Sequence, residues 1–154
     1  MNEKEKIKKF WNQKEDELKS KLIIVSAAEY KSGYNNITGS IHGLLYLIEN
    51  GFYFENFESR NFMTELIFRE KYFEKINIHL QIENIINVCD YKGNKEKQKL
   101  NIATKIMRFI FPPPRKLKIT YKTELNSTAT VTFITLEEPL KICEEYYSLR
   151  SNKG

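Results

Sequence analysis

The 154-residue chain predicts a mainly β fold with flanking helices: a curved antiparallel barrel of about seven strands, capped by a C-terminal α-helix. Three observations carry that expectation. Gly39 to Phe57 reads GSIHGLLYLIENGFYFENF, two apolar and aromatic runs on either side of Asn50-Gly51. Asn-Gly is the strongest short-range hairpin signal, because a two-residue type I′ turn needs φ > 0 at both central positions. Ile76 to Ile82 and Lys116 to Thr123 alternate apolar and polar residues with the period of a half-buried strand. Thr135 to Leu149 is amphipathic at helical spacing and begins with a start signal. A small, strongly bent antiparallel sheet leaves an open end, and such a helix can plug it.

The length suits one domain with a sizeable core, and ten Phe and nine Tyr supply its bulk. No apolar run approaches the ~18 residues of a membrane span. The N-terminal MNEKEKIKKF has no apolar signal-peptide core, so a cytoplasmic location is expected, with the inner face of a membrane as an alternative. Cys89 and Cys143 are too few for a disulfide framework and are expected as buried thiols.

Taken in order, residues 1–20 hold an amphipathic helix, 21–150 the domain, and 151–154 a frayed tail. In the helix, Ile7, Phe10, Trp11 and Leu18 form one stripe with Lys14 as its gap. Such a stripe docks on the domain or on a second copy; alternatively Phe10 and Trp11 insert into a membrane interface, against which five acidic residues between Glu3 and Glu17 count. Lys21 to Tyr30 is a β-branched first strand, and Lys31 to Asn36 a polar loop. In the hairpin, Leu45, Leu47, Phe52 and Phe54 share one face. Glu58 to Lys75 is rich in both aromatics and charges, and periodicity leaves strand and helix open there. The strand Ile76–Ile82, a break at Glu83-Asn84 and a strand Ile85–Tyr91 follow.

Composition then shifts. Lys92 to Lys122 holds ten Lys or Arg and one acidic residue, Glu96, more than the whole net charge of +5. Within it, Leu100 to Phe111 is apolar enough to be buried, and Pro112-Pro113-Pro114 stops any ladder because proline has no N–H. In the strand Lys116–Thr123, Leu117, Ile119 and Tyr121 face inward, and Lys116, Lys118, Thr120 and Lys122 outward. After a turn at Leu125–Thr128 comes the strand Ala129–Thr135, with Val131 and Phe133 inward. The closing helix has capping-box spacing from Thr135 to Glu138 and Pro139 in its first turn. Its apolar half comprises Leu140, Ile142, Cys143, Tyr146, Tyr147 and Leu149.

The hairpin residues Gly43-Leu44-Leu45-Tyr46-Leu47 and Asn50-Gly51-Phe52-Tyr53-Phe54 resemble the G-x-L-Y-L … G-x-x-F hairpin of GRAM and pleckstrin-homology-like domains. Ile82 to Val88 is similar to that superfamily's L-x-x-I-x-x-V segment. The resemblance spans about residues 21–150 and implies a pleckstrin-homology-like barrel. Phosphoinositide-binding members carry basic residues around the loop between their first two strands. Here that region offers only Lys31, with Thr38, Ser40 and His42 leading into the second strand. Divergent members serve as protein-binding modules, so the resemblance implies interaction.

Motifs for catalysis are absent: there is no HxxxH, CxxC, GxGxxG or GxxxxGK spacing, and His42 and His79 sit on outward strand positions. No enzyme activity, cofactor or metal is expected. The expected function is a non-catalytic adaptor or scaffold module, binding a protein partner through a strand edge or a basic face of Lys105, Arg108, Arg115, Lys116, Lys118 and Lys122. The alternative is a peripheral domain on anionic lipid, using that face with Phe10 and Trp11. Nucleic acid is disfavoured because aromatic platforms do not interleave with the basic residues. Self-association is open.

Overall fold

The computed structural model describes residues 2–56, 75–91, 102, 103, 106 and 115–153. Helix α1 (Glu3–Leu18) leads into β1 (Leu22–Ser32), β2 (Ile41–Ile48), β3 (Gly51–Asn56), β4 (Asn77–Gln81), a short 3-10 turn (Ile82–Asn84), β5 (Ile85–Tyr91), β6 (Lys116–Lys122), β7 (Thr128–Thr135) and helix α2 (Pro139–Lys153). The strands form one seven-stranded antiparallel sheet in the order β4-β3-β2-β1-β7-β6-β5. The predicted strands thus form, with ends shifted by one or two residues. The segments at 57–74 and 92–101, and the triple proline, lie outside the described residues.

One core serves the whole sheet. The inward residues Leu45, Leu47, Phe52, Phe54, Ile78, Leu80, Val88, Leu117, Ile119, Val131 and Phe133 cluster with Ile142, Cys143 and Tyr146 of α2. The rings of Phe54 on β3 and Phe133 on β7 lie 5.2 Å apart. In a flat sheet those strands, three ladder steps apart, would be separated by ~14 Å. The sheet therefore bends sharply over its own inner face.

It does not close into the expected barrel. Among the described residues β4 and β5 share no ladder, and the two ends of the sheet remain edges. The 3-10 turn replaces a hairpin between them, and α2 occupies the β5 side instead of another strand. The Tyr147 hydroxyl accepts from the Val88 N–H at 3.2 Å and lies 2.9 Å from the Val88 carbonyl. Main-chain groups that a β4–β5 ladder would use are thus held by a helix.

Five local expectations are corrected. The hairpin turn is not type I′: Ile48 pairs with Gly51, Glu49 and Asn50 form the loop, and of these only Gly51 has positive φ, at 134°. Glycine is required there for a second reason, since a Cβ would sit 2.0 Å from the Leu80 carbonyl oxygen on β4. The capping box at the last helix does not form, because Thr135 is still in the sheet opposite Ala28. Its hydroxyl donates to the Glu137 carbonyl, and α2 begins at Pro139. The tail is not frayed at Ser151, as α2 continues to Lys153. Of α2's predicted apolar half, Leu140 and Tyr147 are exposed. Ile102 and Ile106, from the run expected to be buried, are helical and exposed.

Candidate interaction surfaces

The outer face of the bent sheet is covered at one end by α1. Asn2 caps this helix: its side chain accepts from the Lys4 N–H, while Glu5 accepts from the Asn2 N–H. Its second half docks on β2 and β3. Trp11 packs edge-on against Tyr46, with centroids 6.5 Å apart. Lys14, expected as a gap in the apolar stripe, is the main anchor. Its Nζ lies 2.9 Å from Glu55 Oε1, to which the Tyr46 hydroxyl donates at 2.6 Å. Burial alone would push the Lys14 pKa down, but Glu55 and Glu17 outweigh it and hold the ammonium above its usual range. Glu15 accepts from the Leu22 N–H and fastens the helix to β1. The first half of α1 projects beyond the docking contacts, with Ile7 57% and Phe10 51% exposed. Of the two predicted contact residues, Phe10 is thus outward, and Trp11 is half-buried at home.

Of the residues expected on a basic face, Lys116, Lys118 and Lys122 lie on β6. Alternation along β6 sends Leu117, Ile119 and Tyr121 into the core and Lys116, Lys118, Thr120 and Lys122 outward. Lys118 Nζ sits 3.7 Å from the centre of the Tyr91 ring. Across β6 and β7, the Thr120 and Thr130 hydroxyls are 3.1 Å apart. Among the described residues no carboxylate pairs with Lys116, Lys118 or Lys122. Arg115 differs, because its guanidinium lies 3.6 Å from Asp90. Lys105 and Arg108 lie outside the described residues.

The two sheet edges differ in kind. On β5, Tyr147 holds both main-chain groups of Val88 and reaches Asn87 Oδ1 at 2.6 Å, while Arg150 donates to the Ile86 carbonyl at 3.5 Å. On β4, hydrogen bonds run from the Ile82 N–H to the Asn50 carbonyl and from the Asn56 N–H to the Ile76 carbonyl. Bonded pairs alternate in an antiparallel ladder. Ile78 and Leu80 therefore bond inward to β3, and the N–H and C=O groups of Asn77, His79 and Gln81 point away from it. No described strand lies beyond β4. The strand carries no charged residue and no proline.

For chemistry, the described residues hold no group of three metal-ligating side chains. An open cavity of about 500 Å³ lies between the β1–β2 loop and the start of β4, lined by Tyr34, Ile37, Thr38, Ile41, Lys75 and Asn77 among others. Neither cysteine nor histidine lines it. Lys31, the one basic residue expected near this loop, bonds Glu29 at 2.7 Å and the Ser40 hydroxyl at 3.2 Å. His42 and His79 are exposed, as expected. Cys89 and Cys143 are free thiols; Cys143 is buried, Cys89 only half-buried. Burial, with Cys89 and Asp90 nearby, pushes the Cys143 thiol up to about 11, so it is protonated at neutral pH. No helix among the described residues is long and apolar enough to cross a membrane.

No protein-family model matches this chain, and no curated protein matches it. Among solved structures, it is similar to the crystal structure of the C-terminal domain of an unknown protein from Leishmania infantum. The two share 14% identity at a TM-score of 0.44, over 94% of this chain and 95% of that one.

Proposed function

We propose that this domain is a non-catalytic intracellular interaction module of pleckstrin-homology-like type, and that it takes a protein partner as an added strand on β4. The fold assignment is supported by seven consecutive antiparallel strands followed by a helix that covers the β5 side of the bend. The binding assignment rests on one observation, the asymmetry of the edges. Natural sheets blunt their edges with charge, proline or a covering element. Here β5 has a helix doing so, whereas β4 has no charge or proline, and among the described residues nothing covers the outward main-chain groups of Asn77, His79 and Gln81. A segment adding there would gain main-chain hydrogen bonds and place alternate side chains beside His79 and Tyr53, whose rings already touch.

The experiment uses peptides selected from a random library on the full chain. Amide hydrogen exchange should show Asn77, His79 and Gln81 becoming protected on binding, with Ile78 and Leu80 unchanged because they already bond β3. His79→Pro removes an outward N–H and should abolish binding while sparing the β3–β4 ladder. Binders that ignore His79→Pro and protect β6 would overturn the assignment.

A second reading is favoured by Lys116, Lys118 and Lys122, which no described carboxylate pairs and which suit anionic lipid. Three strands separate β3, under α1, from β6, so the docking site of α1 on β3 and the basic strand are ~19 Å apart along a bent sheet. That counts against one flat membrane engaging both. Vesicle sedimentation at low salt decides: binding of anionic vesicles that Lys116→Glu with Lys118→Glu abolishes supports this reading, and no binding removes it.

A further inference from the structure

The outward side of α1 carries a charge pattern that the strand-edge reading leaves unused. At ~100° per residue, Lys6, Lys9, Phe10, Gln13, Asp16 and Glu17 fall within an arc of roughly 120°. All six are exposed. The docked residues Trp11, Lys14 and Glu15, with half-buried Leu18, occupy the nearly opposite arc. Along this face the order is two cations, an aromatic ring, an amide, then two anions. Two acidic residues border the basic end: Glu5 is engaged in the cap, and Glu3 lies about 20° outside the arc.

We infer that this face binds the same face of a second copy of the chain, with the two α1 helices antiparallel about a twofold axis near Phe10 and Gln13. The pattern is self-complementary only in that sense. Antiparallel pairing sets Lys6 and Lys9 of each helix against Asp16 and Glu17 of the other, and the two Phe10 rings close the middle. Parallel pairing sets like charges together, which costs affinity. An anionic membrane would attract one end and repel the other. The contact is isologous, so it closes at two copies. A single pair of ~24 Å helices covers less than the ~1,600 Å² of a standard interface, so the dimer is weak and salt-sensitive.

Sedimentation velocity on the full chain tests this, at low salt from micromolar to near-millimolar concentration. The average mass should climb toward two copies, and high salt should reverse it. Phe10→Ser should weaken association about tenfold or more. Lys6→Glu with Lys9→Glu makes the face wholly acidic, and Asp16→Lys with Glu17→Lys makes it wholly basic. Each variant alone should be monomeric, and their mixture should dimerise. Because Glu17 also bonds Lys14 at 3.1 Å, Trp11 fluorescence is used to verify docking; should the basic variant undock, the acidic variant's loss of dimer carries the test. A wild type that stays monomeric throughout overturns the inference. So does an acidic variant that still dimerises. So does a monomer that sediments with phosphatidylserine vesicles in a Phe10-dependent way.

Discussion

Replacing Glu55 by alanine should release α1 from the sheet without unfolding the domain. The Lys14 and Glu55 side chains are each only 13% exposed, and Glu55 also accepts from the Tyr46 hydroxyl. Removing the carboxylate leaves the Tyr46 phenol without its acceptor and Lys14 with only the exposed Glu17 as partner, in a half-dry site. Breaking a buried pair in this way costs about 3–5 kcal/mol when the charge has no escape. Here it has one. No residue of α1 is fully buried, so the helix can leave and return Lys14 to water. The loss is therefore bounded by the docking energy, about 2–3 kcal/mol from one charge-assisted bond and the partial burial of Trp11. A free helix of this length is marginal and should melt. Trp11 is the only tryptophan, so its emission reports the event directly. Glu55→Ala should shift that emission to the red and lower far-UV helicity, while urea unfolding of the sheet changes little. Glu55→Gln keeps an acceptor but not the charge, and should fall between, near 1 kcal/mol. Raising the pH should mimic the change. Lys14 titrates above its usual value in the folded state, so its stabilisation is complete below about pH 10.5 and lost above it. Unchanged Trp11 emission in Glu55→Ala would refute the argument that this ion pair holds the helix.

Three further outcomes are expected. Tyr147→Phe removes the hydroxyl shared by Val88 and Asn87 and should destabilise by about 1–2 kcal/mol in urea, with faster exchange of the Val88 amide. Gly51→Ala combines a φ of 134° with a Cβ 2.0 Å from the Leu80 oxygen, and should cost roughly 3 kcal/mol or more, again read from urea midpoints. Cys143 titrates near 11 when folded, above its ordinary value near 9, so its contribution is whole below pH 9 and fades as pH rises through 11. Burial raises Tyr53, Tyr121 and Tyr146 in the same direction, so the test is the difference between wild type and Cys143→Ala, which should narrow over that interval.

The strands were legible because their signal is local. Period-two alternation placed Leu117, Ile119 and Tyr121, and Val131 and Phe133, on the inner face, where they are buried. The Asn50-Gly51 pair marked the hairpin correctly for an incomplete reason: a neighbouring strand's carbonyl, not the turn alone, demands the glycine. The features that define surfaces were less visible, because each depends on pairs distant in sequence. Lys14 looks like a defect in an apolar stripe until Glu55 and Tyr46 are seen on the sheet's outer face. Tyr147 reads as one more apolar helix position until β5 is seen beside it. Thr135 had the right spacing for a cap but is claimed by the ladder with β1.

These misreadings share a cause that bears on function. The two helices meet the sheet through polar atoms as much as through apolar stripes: α1 through Lys14 and Glu15, α2 through Tyr147 and Arg150. Polar docking is directional, so each helix is fixed over one site, and each leaves something nearby uncovered. With α2 held on β5, the far edge of β4 has no described strand beyond it. With α1 anchored by its second half, its first half and its charged outer face stand clear. Both proposed contacts, the β4 edge and the α1 face, follow from where those few polar bonds hold the helices. They adjoin through one strand, because α1 docks on Glu55 of β3 and Glu55 pairs with Asn77 of β4. His79 and Phe10 each belong to only one of the two contacts, so His79→Pro should leave the dimer intact and Phe10→Ser should leave peptide affinity unchanged.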